Sequence, residues 1–125
     1  STVSTISTKA TSSRYTRSRK LPERNKSSKG FVGILAAELY FPEGGSLKGK
    51  RMYLRRIRDQ VTRQHGASFA EVGHQDLWQR SRVIMAVASS NPHVLEKALD
   101  RLRAYLDSQE WVLTSSVTEV IDIDA

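Results

Sequence analysis

The chain has 125 residues and a hydrophobic fraction of 38%, enough for one core of ordinary domain size and too little for two. The absence of cysteine excludes disulfides, thiolate catalysis and sulfur-ligated metal sites, and no apolar run is long enough to span a bilayer as a helix. The formal net charge of +7 is unevenly placed: residues 1 to 30 carry eight cations against Glu23 alone, whereas residues 31 to 125 carry twelve of each sign.

The basic segment 1 to 30 also holds thirteen Ser or Thr and almost nothing that could enter a core, the composition of a disordered arm. A cationic arm gains affinity for nucleic acid by neutralising phosphates and releasing counterions. The same Arg-rich, Ser-rich, acid-poor composition also describes an organelle transit peptide, and a solubilising tail without a partner is the plainest alternative. No secretory pattern precedes the folded part, which is expected to be soluble.

From Phe31 the pattern changes. FVGILAAELYF (31 to 41) is an apolar run of strand formers ended by Pro42, Gly44 and Gly45. Apolar residues on both parities predict a central strand covered on both faces. Ser46 offers an N-cap for a helix through about Gln64, stopped by Gly66, with Leu47, Leu54, Ile57 and Val61 on its core-facing stripe. ASFAEVG (67 to 73) and SRVIMAVAS (81 to 89) read as the next strands. Asn91 and Pro92 start a second helix with Val94, Leu95, Ala98, Leu99, Leu102 and Leu106 on its stripe, and WVLTSSVTEVIDI (111 to 123) is a closing strand.

The order β-α-β-β-α-β predicts an α+β fold, a ferredoxin-like split β-α-β sandwich with two helices on one face of a four-stranded antiparallel sheet. Its domain covers residues 31 to 125. Val, Ile, Ala and Met85 are expected on the helix-free face, which then suits protein contact or a homodimer.

SLKGKR (46 to 51) followed by AEVGHQDLWQR (70 to 80) resembles the bacterial YlxP-like family, the domain of unknown function 503, over roughly residues 31 to 123. The resemblance implies a single ferredoxin-like domain, in agreement with the element order. It also implies, through genes that neighbour those of translation initiation and ribosome maturation, a role near the ribosome in a bacterial cytoplasm. It carries over no catalytic residue. The arm composition keeps an organelle as the alternative location.

The stretch 70 to 80 supports three readings. As a turn, Gly73 allows the bend, Gln75 or Asp76 caps backbone amides, and Trp78 folds over the core edge. As a recognition loop, His74 and Trp78 stack on an exposed base while Gln75, Gln79 and Arg80 supply hydrogen bonds and Asp76 shapes the contact. As a small catalytic site, His74 and Asp76 act together with Glu71 nearby, but the spacing is weak support for either acid-base work or a metal, and neither metal nor cofactor is expected. His65 and His93 stand near helix ends, where capping and exposure explain them.

The first helix is the second candidate surface. Residues 48 to 63 contain Lys48, Lys50, Arg51, Arg55, Arg56, Arg58 and Arg63 against Asp59 alone, whereas the charges of the second helix cancel. A one-signed face repels itself and is expected to meet phosphate or an acidic surface, unless its Arg stems merely cover the core edge. KGFVGIL (29 to 35) echoes the start of an RNA-recognition-motif strand, but it lacks the spaced aromatic and falls on the wrong strand, so it carries no weight. The leading expectation is a non-enzymatic protein that binds RNA or a ribosomal subunit; a homodimeric interaction module and a small enzyme using His74 and Asp76 are the alternatives.

Overall fold

A computed structural model describes residues 11–14, 29–42, 45–107 and 109–124. In chain order they form β1 (Thr11–Arg14), β2 (Lys29–Tyr40), α1 (Leu47–His65), β3 (Ser68–Gly73), β4 (Arg80–Ser89), α2 (Pro92–Asp107) and β5 (Val112–Asp124). The strands lie in the order β1-β5-β2-β4-β3. The last four pair antiparallel throughout and, with both helices, make the expected ferredoxin-like α+β sandwich.

Local chemistry sets the helix boundaries where the sequence predicts them. Ser46 Oγ accepts the Gly49 N–H at 3.0 Å, and Gly66 closes α1 in the left-handed conformation at φ 63°. At the second helix Asn91 Oδ1 accepts the His93 N–H at 2.8 Å, so that Pro92 occupies a first-turn position where its missing donor costs nothing.

Alternation along β2 divides the sheet into two faces. Leu35, Ala37 and Leu39, with Phe41 just beyond, are buried toward the helices, while Val32, Ile34, Ala36 and Glu38 lie on the other face. Leu95, Leu99, Leu102 and Leu106 of α2 and Leu54, Ile57 and Val61 of α1 complete the core. Gly33 sets how closely α2 approaches: a Cβ there would stand 2.9 Å from Leu99 Cδ1 and 3.0 Å from Leu95 Cδ1. Val94, expected on the apolar stripe, is more than half exposed instead.

Met85 corrects the expected open face. It pairs with Leu35 and Phe69 and is buried in the core, while Ile84, Ala86 and Ala88 take the helix-free side. In β4 both parities are apolar, so alternation alone did not choose between them.

At one end of the core, buried Phe41 and Trp111 form an aromatic cluster with the partly buried Tyr53 and Tyr105, Phe41 stacked on Tyr53 at 5.3 Å between centroids. The buried Trp111 donates its Nε1–H to Leu106 O at 2.9 Å. Burial raises the Tyr105 pKa above its ordinary value, against the lowering effect of Arg56.

Thr11–Arg14, within the segment expected to be a disordered arm, forms a strand parallel to β5 from Ser115 to Thr118. A stretch of Thr, Ser and Arg has no hydrophobic period, so nothing in the sequence announces this strand. Residues 1–10 and 15–28 of the arm lie outside the described residues. No helix among the described residues is long and apolar enough to cross a membrane.

Candidate nucleic-acid interface

Lys50 joins the first helix to the turn between β3 and β4. It falls on the same stripe of α1 as Leu54, Ile57 and Val61, and it is 1% exposed. Its ammonium donates to Glu71 Oε2 at 2.9 Å, His74 O at 2.8 Å and Arg80 O at 3.1 Å. Glu71, also turned to the core side of its strand, accepts the Ser81 hydroxyl at 2.8 Å on the same oxygen. A buried charge with this many acceptors is internally satisfied, so Lys50 is not part of the exposed cationic face to which the sequence assigned it.

The turn itself is bent at His74, not at Gly73. His74 has φ 59°, a left-handed conformation that a non-glycine residue holds only when its surroundings fix it. They do so here: its carbonyl accepts from Lys50 and from the Leu77 N–H at 3.0 Å, and its Nε2 lies 3.2 Å from Glu38 Oε1. Gly73 serves another purpose, since a Cβ on it would lie 3.0 Å from Arg82 Cβ. Gln75 donates to Glu71 O at 3.2 Å instead of capping an amide, and Asp76 is exposed. Gln79 O accepts the Phe41 N–H at 2.7 Å.

Trp78 is 39% exposed and does not close the core edge; the buried tryptophan is Trp111. Nearby, Glu38 accepts from Arg82 at 2.9 Å and lies 3.7 Å from Arg80, so one carboxylate gathers His74, Arg80 and Arg82. The sequence points to His74 and Arg80 but to neither Glu38 nor Arg82 as site residues. Glu38 is the one charge in the apolar run 31 to 41, whereas Arg82 sits beside Arg80 and Ser81 at the polar start of β4.

The remaining α1 cations are exposed, but they are not equivalent. Arg56 pairs with Glu110 at 3.3 Å and lies over Tyr53 and Trp111. Arg58 lies over Phe69 of the edge strand β3. Arg63 stands in the last turn of α1, where the helix dipole favours a cation. Lys48, Arg51 and Arg55 fall on the flank shared with Arg58 and have no ion pair or hydrogen bond from their side chains among the described residues. Among the described residues no group of three or more His, Asp or Glu could hold a metal ion.

The described residues form a ferredoxin-like α+β sandwich whose two conspicuous segments, SLKGKR and AEVGHQDLWQR, are tied together by Lys50. A family model for the protein of unknown function DUF503 matches residues 32–119, and the chain belongs to that family. It is 39% identical over 77 residues to the uncharacterized protein YlxP of Bacillus subtilis (strain 168), a match covering 62% of this chain and 84% of that protein.

Proposed function

We propose that this protein is a non-enzymatic RNA-binding protein that associates with the ribosome and acts in its maturation or in translation, in a bacterial cytoplasm. The observation that carries this reading is the row Lys48, Arg51 and Arg55: three exposed cations on one flank of α1, continued by Arg58 and without acidic partners among the described residues. Mutual repulsion within such a row is relieved by a polyanion, and each phosphate neutralised releases a counterion. The basic segment before the domain adds cations of the same sign. What the resemblance implies about neighbouring genes supports the ribosome as the source of the RNA.

The test is co-sedimentation of the full chain with purified small and large ribosomal subunits over a salt series, beside the variant Arg51→Glu/Arg55→Glu. Retention on one subunit that weakens steeply with salt and is lost in the variant supports the reading. Equal retention of both proteins removes α1 from it, and no retention above that of bulk RNA ends it.

A homodimeric interaction module is the second reading, supported by the aliphatic strip Val32, Ile34, Ala36, Ile84 and Ala86 on the helix-free face. Its test is sedimentation equilibrium of the wild type and of Ile84→Lys; a monomer at high concentration ends it.

A further inference from the structure

The helix-free face ends, beside the turn, in side chains that the reading above leaves unused. Tyr40 is opposite Arg80 on β4 and opposite Val112 on β5. The ladder runs one residue further through the bond from Phe41 N–H to Gln79 O. Alternation along it sends Phe41 into the core and sets Tyr40 and Arg80 on the helix-free side, and Trp78 stands two residues before Arg80, in the turn. Tyr40 and Trp78 are 37% and 39% exposed, whereas Phe41 and Trp111 are buried. These two aromatic residues are therefore surplus to the core.

Behind them, Arg80 and Arg82 keep about half of their side-chain surface in solvent, while the Glu38 side chain they share is only 15% exposed. One carboxylate thus orients two guanidinium groups and leaves them accessible. Glu38 disfavours a phosphate directly over it. A neutral nucleobase suits the arrangement better: its faces stack on aromatic rings and guanidinium planes, and its edges accept or donate hydrogen bonds. Two arginines against one glutamate leave the patch positive. Lys50, on the same helix as the row Lys48, Arg51 and Arg55, holds the turn that bears Trp78 through His74 O and Arg80 O, so the start of α1 and the patch are tied to one turn.

We propose that Tyr40, Trp78, Arg80 and Arg82, arranged around Glu38, form a stacking site for unpaired bases of a single RNA strand whose phosphates lie along α1. The site rests on the RNA-binding reading and adds to it that the protein distinguishes strands carrying accessible bases from bare sugar-phosphate.

The test is fluorescence anisotropy of the full chain with three labelled probes of equal length: single-stranded RNA, the same length as duplex, and an abasic sugar-phosphate strand. The wild type is expected to bind the single strand about tenfold more tightly than the abasic one. Tyr40→Leu and Trp78→Leu each remove most of that difference and leave abasic binding unchanged, and Tyr40→Phe retains it. Arg51→Glu/Arg55→Glu weakens all three probes together. If wild type and Tyr40→Leu show the same preference for bases, or wild type shows none, the stacking site is overturned while binding along α1 stands. If wild type binds no probe, both fail. If Tyr40→Leu changes only the oligomeric state, the patch is a protein contact and the proposal is overturned.

Discussion

Lys50 Nζ and Glu71 Oε2 lie 2.9 Å apart, and the two charges meet on the core-facing sides of α1 and β3. Three interactions converge there: an ion pair, the Ser81 hydroxyl, and carbonyls from both ends of the turn. The pair therefore fixes the geometry of residues 74 to 80 from inside the protein, leaving their outer surface free for contact.

Removing one member of a buried pair leaves the other uncompensated, at a cost of about 3 kcal/mol. Lys50→Met is expected to lower the unfolding free energy by that amount, because Glu71 and the carbonyls of His74 and Arg80 lose their donor. Glu71→Gln should cost less, since the amide oxygen still accepts from Lys50 and Ser81. Urea denaturation of the three proteins measures this; a loss below about 1 kcal/mol for Lys50→Met would mean that water replaces the ammonium.

At His74 the backbone conformation and the side chain make opposite demands. Glycine relieves the left-handed φ but gives up the contact with Glu38, so His74→Gly is expected within about 1 kcal/mol of wild type. His74→Val keeps the strain with a branched Cβ and gives up the same contact, and should be less stable than His74→Gly by about 1–2 kcal/mol. Melting of the two variants side by side decides it, and equal stability would show that the turn relaxes.

Gly33 should tolerate no side chain that α2 cannot accommodate. Gly33→Val pushes into Leu95 and Leu99, and overpacking of this kind costs about 2–3 kcal/mol. Combining it with Leu99→Ala should be less destabilising than the sum of the single changes. Strict additivity in a double-mutant cycle would place the added methyls elsewhere.

Salt dependence gives a number for the α1 row. Each phosphate contact to a single strand contributes about −0.7 to the slope of log K against log salt, so Lys48, Arg51 and Arg55 together account for about −2. Replacing Arg51 and Arg55 by glutamate should reduce the slope by at least about 1.4. An unchanged slope in anisotropy titrations would move the phosphate contacts to other cations.

The element order, the Ser46 and Asn91 caps and the Gly66 stop were legible because each depends on local chemistry. The Lys50 network was only half legible. Lys50 shares its helical phase with Leu54, Ile57 and Val61, and Glu71 shares a strand parity with Phe69, so both could be placed facing inward. That they meet depends on α1 crossing β3, which no local pattern encodes. Met85 was unreadable for a different reason: Val83, Ile84, Met85 and Ala86 are apolar on both parities, and only pairing with Leu35 and Phe69 selects a face. Charge counting treats the cations of α1 as one set, whereas burial sets Lys50 apart, pairing with Glu110 sets Arg56 apart, and Arg58 lies over Phe69.

The pairing of Thr11–Arg14 with Ser115–Thr118 brings together segments roughly a hundred residues apart in sequence. During synthesis the earlier partner emerges long before the later one exists, and the loop between them can close only after everything in between has been made. Formation of this short parallel ladder therefore reports that translation has passed β5.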